Sequence, residues 1–246
     1  MNRGRTLIAA NWKMHKTSRE AKAFFDTWRT FPALDCEIAF LPPFTLLHAV
    51  APLLSGTEVL GGQNLHEAAA GAFTGEISAG MLRDAGCKYV LIGHSERRHV
   101  FGEPDERIAL KVRAALEGGL RPILCVGETL EQRKNGNTLD IVWGQLAADL
   151  GRNPPREGFD IAYEPVWAIG TGKVASHHDA REVHEAVLEY LGKRGGGRDC
   201  RILYGGSVKP GNALDLLNSP GIHGLLVGGA SLDPGSFHQI AALAKD

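Results

Sequence analysis

The sequence IAYEPVWAIGTGKVA, at residues 161–175, combines the end of an apolar run, one acid and a glycine-rich loop. Residues 159–163 have the pattern of a buried strand, and Glu164 follows them directly. Pro165 then ends the strand, because proline cannot donate a ladder hydrogen bond. Residues 167–172, WAIGTG, are apolar and contain two glycines, a composition that predicts a flexible apolar loop where most surface loops are polar. A carboxylate beside such a loop is typical of a base shielded from water; the alternative is an ordinary turn with a solvated glutamate.

Seven more apolar runs of this kind occur along the chain, which makes eight. Most are continuous rather than alternating, as expected for parallel strands that are covered on both faces. Their spacing, roughly twenty to forty residues, leaves room for a loop and a helix after each strand. In order, the runs are TLIAAN, EIAFLP, EVLGGQ, KYVLIG, RPILCV, FDIAYE, RILYGG and GLLVGG, which begin near residues 6, 37, 58, 88, 121, 159, 201 and 224.

Amphipathic segments lie between these runs. Thr17 and Ser176 each begin a pattern that resembles a capping box, TSRE and SHHD, ahead of an amphipathic helix. Eight strand–helix repeats without a break in composition predict an α/β fold, a single closed (β/α)8 barrel of eight parallel strands, rather than two doubly wound halves. One domain would then span residues 1–246. Further helices are predicted at residues 78–85, 105–117, 138–150, 212–217 and 235–244, and a shorter one at 44–54. Gly86 and Gly118 are predicted to end the helices that precede them. Residues 195–197 are predicted to form a surface turn.

Composition excludes several classes of protein. The chain has 246 residues, 43% apolar and 22% charged, with a net charge of −1. Its lysines and arginines are scattered, so nucleic-acid binding is not expected. The apolar run in MNRGRTLIAANWK is too short for a signal sequence, and no run approaches the length of a membrane span, so a cytoplasmic protein is predicted.

The cysteines and histidines show no metal-binding pattern. No CxxC pair and no HExxH motif occurs, and the adjacent His177 and His178 fall where a helix should begin. We therefore expect neither a zinc site nor a disulfide framework. The four cysteines are predicted to be reduced and mostly packed in the core; they are Cys36, Cys87, Cys125 and Cys200.

Polar residues and glycine pairs follow several of the predicted strands. Since the chemistry of such a barrel belongs to the loops after the carboxyl ends of its strands, these positions should meet at one rim. Taken singly, a lysine there can be solvated, a histidine can be a structural helix cap, and a glycine pair can be a tight turn. Independent loops have no folding reason to collect all of them, so we interpret them as one candidate site. They are Asn11 and Lys13 after the first strand, His94 and Glu96 after the fourth, Glu164 after the sixth, Gly205, Gly206 and Ser207 after the seventh, and Gly228 and Gly229 after the eighth.

The two glycine pairs indicate the type of ligand. Backbone N–H groups at the ends of strands seven and eight, with a helix start behind them, are the usual phosphate site of a barrel. A phosphate-bearing ligand is therefore predicted, and it needs no arginine cluster.

Six segments resemble the motifs of the triosephosphate isomerase family, in the same order and at compatible spacing. They are AANWKMHK, GAFTGEIS, IGHSERR, AYEPVWAIGTGK, YGGSV and LLVGGASL. The resemblance covers almost the whole chain. It implies a TIM barrel that interconverts dihydroxyacetone phosphate and D-glyceraldehyde 3-phosphate through an enediolate, with no cofactor and no metal.

The same resemblance implies roles for individual residues. Glu164 matches the family's catalytic base, and His94 matches its electrophile, a neutral histidine whose pKa is lowered by a helix N-terminus. Lys13 and Asn11 match residues that contact the substrate, while Glu96 matches an acidic position whose role is less defined. Four positions are implied to hold the phosphate through backbone N–H groups: Gly170, Ser207, Gly228 and Gly229.

The resemblance also implies a lid and a homodimer. Residues 168–172 would form the tip of the lid, with hinges at 165–167 and 173–175 and with Ile169 over Glu164. The loop from Gln63 to Ile77 resembles one that reaches into a second subunit, beside Asn11 and His94. Two departures are mild: Val174 stands where the family commonly has threonine, and His223 where it commonly has aspartate.

Two other functions compete with this interpretation. A metal-dependent epimerase needs histidine and carboxylate ligands at several strand ends, and a Schiff-base aldolase needs a lysine inside a strand; the sixth strand offers Glu164 instead. The other competitor is a catalytically inactive barrel that binds phosphate or a protein partner. It gives no reason to retain all of the polar groups at the rim.

Overall fold

The strands form one closed barrel in the computed structural model, which describes residues 5–168 and 177–244. All eight pair in parallel and in sequence order, and β1 closes the barrel against β8. The (β/α)8 barrel predicted from the eight apolar runs is thus confirmed. The strands are β1 (Leu7–Asn11), β2 (Glu37–Leu41), β3 (Glu58–Gly62), β4 (Cys87–Ile92), β5 (Arg121–Val126), β6 (Asp160–Tyr163), β7 (Ile202–Tyr204) and β8 (Gly224–Val227).

Helices connect the strands at the predicted places. Residues 105–117 and 138–150 are helical with the predicted bounds, whereas the connection at 44–54 is mostly 3-10 helix around one α-helical turn. In the described ranges the α-helices are α1 (Ser18–Trp28), α2 (Leu47–Val50), α3 (Ala79–Asp84), α4 (Ser95–His99), α5 (Asp105–Glu117), α6 (Leu130–Lys134), α7 (Thr138–Leu150), α8 (His177–Lys193), α9 (Pro210–Leu217) and α10 (Pro234–Ala241).

The helix ends follow local capping chemistry. Thr17 caps α1 with both halves of a capping box to Glu20, as predicted. The capping box predicted at Ser176 lies outside the described residues. Helix α6 was not predicted, although Thr129 and Gln132 form a second capping box, TLEQ, that the sequence displays openly. A short helix with little apolar periodicity gives only this one signal.

Two apolar layers explain why the strand sequences are continuous rather than alternating. Alternate residues of β1 belong to different layers: Leu7 and Ala9 face the barrel interior, and Ile8 and Ala10 pack under the helices. The interior layer also contains Tyr89, Leu91, Ile123, Cys125, Leu203 and Leu226. Because both faces of each strand are buried, neither face needs polar residues.

A charged cluster lies among the first residues of the strands, at the end of the barrel opposite the candidate rim. Arg201 donates to Asp160, Glu37 and the hydroxyl of Tyr89, and Arg121 donates to both carboxylate oxygens of Asp160. Asp160 is completely buried. Burial raises the pKa of Asp160, but the hydrogen bonds from Arg121 and Arg201 outweigh this effect and hold it below the usual value. This end of the barrel is therefore closed by ion pairs.

The four cysteines are buried, as predicted for residues packed in the core. Within residues 5–168 and 177–244, no group of three or more His, Cys, Asp or Glu side chains is placed to hold a metal ion. No helix in the same ranges is long and apolar enough to cross a membrane.

The glycine triplet at 195–197 differs from the expected surface turn. Only Gly195 is exposed, whereas Gly196 and Gly197 are buried. A Cβ at Gly196 would lie 2.6 Å from Pro154, and one at Gly197 would lie 2.8 Å from Leu191. The turn is packed against the body of the barrel, so these glycines are required by close contacts as well as by the turn.

Candidate active site

A cavity of about 620 Å³ opens at the carboxyl ends of the strands. Nine of the rim residues named from the sequence line it, and they come from five separate loops. They are Asn11, Lys13, His94, Glu164, Gly205, Gly206, Ser207, Gly228 and Gly229. The cavity is also lined by Val208, Lys209, Pro210, Leu226, Ala230 and Ser236.

Glu164 is held at the floor of this site by the neighbouring strands. Its backbone N–H donates to the carbonyl of Val126 at 2.7 Å, which continues the β5–β6 pairing by one residue. A Cβ at Gly127 would lie 1.8 Å from the Glu164 carbonyl oxygen, and one at Gly205 would lie 2.9 Å from the Glu164 Cγ. Both neighbours must therefore be glycine for the glutamate backbone and side chain to occupy this position.

The Glu164 carboxylate is buried and has two specific donors. The backbone N–H of Ser95 donates to Oε2 at 2.8 Å, and His94 Nε2 lies 2.9 Å from Oε1. The Glu164 side chain is 3% exposed and the His94 side chain 8% exposed, so both groups are largely removed from water. A carboxylate and an imidazole are thereby held in direct contact inside the cavity.

His94 caps the first turn of α4. Its Nδ1 accepts the backbone N–H of Glu96 at 3.2 Å, which leaves Nε2 as the proton-bearing nitrogen directed at Glu164. A second proton on Nδ1 would point at the Glu96 N–H. The arrangement at Nδ1 therefore favours the neutral imidazole with its proton on Nε2.

The two side chains shift each other's pKa. Burial raises the pKa of Glu164, yet the charge and hydrogen bond of His94 and the N–H of Ser95 together lower it below the usual value. Burial lowers the pKa of His94, but the Glu164 carboxylate has the larger combined effect and raises it. The family resemblance implies a histidine pKa lowered by the helix N-terminus, whereas the raised pKa in this structure comes from the carboxylate in contact with the ring.

Lys13 adds a positive charge to the same rim. Its Nζ donates to Glu96 Oε1 at 2.5 Å, and its backbone N–H donates to Asn11 Oδ1 at 3.0 Å. The backbone of Lys13 has φ 49°, an uncommon value for a residue with a side chain. Gln63 Nε2 donates to the Lys13 carbonyl at 2.8 Å and helps to hold this conformation. The lysine is thus fixed in place before any ligand binds.

The glycine pair after β8 has no role in packing. A Cβ at Gly229 would meet no atom within 4 Å, and one at Gly228 would meet only Lys13 Cε, at 3.6 Å. Neither residue has a positive φ. Since the fold itself does not require glycine here, the open space beside these N–H groups is consistent with the close approach of a ligand. The 3-10 helix Gly229–Leu232 begins at this point, and the first N–H groups of a helix have no acceptor within the helix itself.

Two predicted site residues are not among those that line the described cavity. Glu96 is not among the lining residues; it acts on the site through its ion pair with Lys13 and through its backbone N–H, which donates to His94 Nδ1. Gly170 lies outside the described residues, as do Ile169, the rest of the lid tip beyond Ala168 and the hinge at 173–175. The hinge residue Trp167 is described, and its Nε1 donates to Glu128 at 2.9 Å.

Two polar lining residues were missed by the sequence analysis. Lys209 follows Ser207 by two residues, so its loop position was a usable signal. Ser236 lies in the first turn of α10 and is brought to the cavity only by the fold, so no sequence pattern marks it.

Comparisons with known proteins agree with this geometry. The sequence model described as "Triosephosphate isomerase" matches residues 6–244. The chain belongs to the triosephosphate isomerase family. It is 51% identical over 243 residues to the triosephosphate isomerase of Aquifex aeolicus, an alignment that covers 96% of this chain and 98% of the relative. It is 51% identical over 249 residues to that of Symbiobacterium thermophilum, with 98% and 97% covered, and 48% identical over 247 residues to that of Thermus thermophilus, with 98% and 99% covered.

Membership of this family makes the chain an isomerase. The matched region, residues 6–244, includes every strand of the barrel and every described residue that lines the cavity. The family resemblance seen in six short segments is thereby confirmed across the barrel.

Proposed function

We propose that the protein interconverts dihydroxyacetone phosphate and D-glyceraldehyde 3-phosphate through an enediolate, with Glu164 as the base and His94 as the electrophile. One observation carries the proposal: a buried carboxylate and an imidazole are in contact at 2.9 Å, in the same cavity as two glycine-rich loops. The names of the relatives supply the substrate. The chemistry requires the transfer of one proton between adjacent carbons and of a second proton between their oxygens, so it involves no net oxidation and needs no cofactor.

Glu164 is suited to remove a proton from a carbon atom. Its lowered pKa keeps the carboxylate ionised at neutral pH, and burial removes most of the water that would otherwise weaken it as a base. The N–H of Ser95 holds Oε2 in the resting state. We infer that the carboxylate exchanges this contact for the substrate carbon when the ligand binds.

The charge that develops on the substrate oxygen needs donors that are already in place. His94 Nε2–H and the ammonium group of Lys13 are the two donors of the described cavity that suit this role. When Glu164 turns towards the substrate, His94 loses the carboxylate that raises its pKa. Burial and the Glu96 N–H at Nδ1 then favour the neutral ring, so His94 becomes a neutral donor as the family resemblance implies.

The phosphate group is proposed to lie against the loops after β7 and β8. Ser207, Gly228 and Gly229 line the cavity there, and Asn212 Nδ2 donates to the Ser207 carbonyl at 3.0 Å. This contact restrains the Ser207 peptide groups. The N-terminus of the 3-10 helix at Gly229 adds a partial positive charge. Gly170 is proposed as a fourth contact on the basis of the family resemblance.

The experiment that tests this function is an isomerisation assay with D-glyceraldehyde 3-phosphate. Turnover is expected to be unchanged by a chelator and by borohydride treatment in the presence of substrate. Inhibition by the chelator would indicate a metal-dependent epimerase, and inactivation by borohydride would indicate a Schiff-base aldolase. An absence of turnover would support a barrel that only binds phosphate.

We also propose a homodimer formed through the loop from Gln63 to Ile77. Large apolar side chains are exposed on this loop and on α3, where Phe73 and Met81 line one small cavity with His66. Met14, beside the active-site lysine, is 94% exposed. Exposed apolar side chains of this size, near the functional loops, are typical of a protein interface. A second copy of the chain would cover them through a self-complementary twofold contact.

Thr74→Arg is expected to weaken this dimer and to lower activity in parallel. Thr74 is exposed at the tip of the loop, and an arginine there would place a charge in a packed interface. Sedimentation velocity and activity should be measured over the same range of protein concentration. Thr30→Arg, at an exposed threonine remote from the loop, is the matched control. A Thr74→Arg protein that is monomeric and fully active would contradict the proposed role of the second subunit.

A further inference from the structure

Arg98 holds two backbone segments on which the catalytic groups are mounted. Its guanidinium Nε donates to the carbonyl of Gly93 at 2.8 Å, and Nη2 donates to the carbonyl of Cys125 at 3.0 Å. Gly93 immediately precedes His94, and Cys125 immediately precedes Val126, whose carbonyl accepts the Glu164 backbone N–H. One side chain therefore connects the peptide before the imidazole to the strand that supports the carboxylate.

Asp149, on α7, fixes this arginine from outside the barrel. Arg98 Nη2 lies 2.6 Å from Asp149 Oδ2, and the Asp149 side chain is completely buried. Its other oxygen, Oδ1, has no hydrogen-bond partner in residues 5–168 and 177–244. The second anchor of Arg98 is Asp105, whose side chain is 41% exposed and thus more weakly coupled to the arginine.

A fully buried aspartate with one unsatisfied oxygen is costly for the folded protein. Such a group is destabilising unless it is neutralised or its charge has a function. A hydrophobic residue of similar size would fill the same space without this cost. The position is therefore better explained by its action on Arg98 than by packing.

The groups that face Asp149 determine its charge. Burial raises its pKa to about 7, although the charge and hydrogen bond of Arg98 lower it; Asp105 and Glu106, on α5, raise it further. The thiol of Cys125, on β5, lies in the barrel interior. On the outer side of β5, where Asp149 lies, Cys125 contributes only its backbone carbonyl, which accepts from Arg98. Asp149 thus changes its charge near neutral pH, with Arg98 as its cationic neighbour.

We propose that Asp149 is a positioning residue: in its ionised form it strengthens the hydrogen bonds of Arg98 to the Gly93 and Cys125 carbonyls. These bonds keep His94 and Glu164 at the distance and orientation that catalysis requires. This inference rests on the proposed catalytic roles of those two residues. An ionised carboxylate binds a guanidinium more strongly than a protonated one does. Small displacements of catalytic groups lower turnover, so the protonated form should be the less active one.

The test compares the unmodified enzyme with Asp149→Asn from pH 5.5 to 9. Asparagine has nearly the shape of protonated aspartic acid and cannot ionise. The ratio of kcat for Asp149→Asn to kcat for the unmodified enzyme should approach one below about pH 6 and should fall to roughly a third above about pH 8. Because both proteins receive the same substrate, ionisation of its phosphate cancels in the ratio. Asp140→Asn, at an exposed aspartate on the same helix, should give a flat ratio near one.

Other outcomes are equally informative. A ratio that is constant with pH, at any value, would mean that Asp149 has only a structural role and would overturn the inference. Asp149→Ala provides a second variant and should show the same decline with pH. Independently of turnover, the Arg98 Nε–H resonance and the Val126 amide resonance, whose peptide group contains the Cys125 carbonyl, should show a step near pH 7 in the unmodified protein that is absent from Asp149→Asn. The same NMR titration in Asp149→Asn and in the unmodified protein would also overturn the inference. An unmodified enzyme that does not isomerise the substrate would instead contradict the proposed function.

Discussion

Glu164→Asp is expected to lower kcat by on the order of a hundredfold or more, with little change in the affinity for inorganic phosphate. The shorter side chain keeps its charge but retracts the carboxylate by roughly one bond length, and displacements of about 1 Å in a catalytic group have effects of this size. The contacts to Ser95 N–H and His94 Nε2, at 2.8 and 2.9 Å, would both be lost or lengthened. Phosphate affinity should persist because Ser207, Gly228 and Gly229 belong to other loops.

Glu164→Gln separates the position of the base from its charge. Glutamine has the length of glutamate and no basic oxygen, so kcat should fall further than in Glu164→Asp. Steady-state kinetics with glyceraldehyde 3-phosphate and competition by inorganic phosphate would measure both effects. If Glu164→Asp kept the turnover number of the unmodified enzyme, Glu164 would not be the base.

His94→Gln is expected to lower kcat by roughly a hundred- to a thousandfold, the usual effect of removing one donor to a developing oxyanion. The imidazole is fixed at Nδ1 by the Glu96 N–H and directs Nε2–H into the cavity. A glutamine amide has neither this anchor nor the same direction. The effect should fall on kcat more than on phosphate affinity, because the proposed contact is made to the carbonyl end of the substrate.

His99→Gln is the matched control for this prediction, since His99 lies on the same helix and is exposed. It should retain the activity of the unmodified enzyme. If His94→Gln weakened phosphate binding as much as it lowered turnover, His94 would act on binding in general and not on the reacting oxygen.

The barrel could be predicted from the sequence because burial on both faces imposes one pattern on every strand. Runs such as KYVLIG and RPILCV contain the residues of the interior layer and of the outer layer in alternation, and both are apolar. The cap at Thr17 was predictable for a local reason, since its hydrogen bonds to Glu20 involve neighbouring residues. Helix α6, by contrast, is too short for a periodic pattern.

The candidate site was predictable as far as residues adjoin the ends of strands. Asn11, His94 and Glu164 follow their strands closely, so the topology alone brings them together. Ser236 reaches the cavity from a helix, and Asp149 reaches Arg98 from the outer layer, so neither could be found from spacing. The raised pKa of His94 likewise depends on its contact with Glu164, which no local pattern expresses.

The central claim, proton transfer by Glu164, is tested most directly by turnover in D2O with NMR analysis of the product. Proton transfer through a carboxylate allows exchange with solvent, so part of the product should carry deuterium on the carbon that receives the proton. Glu164→Gln should be severely slowed in both isomerisation and deuterium incorporation. A product entirely free of deuterium would point to direct hydride migration between the carbons, and undiminished exchange in Glu164→Gln would assign the base to another residue; either result would contradict the account.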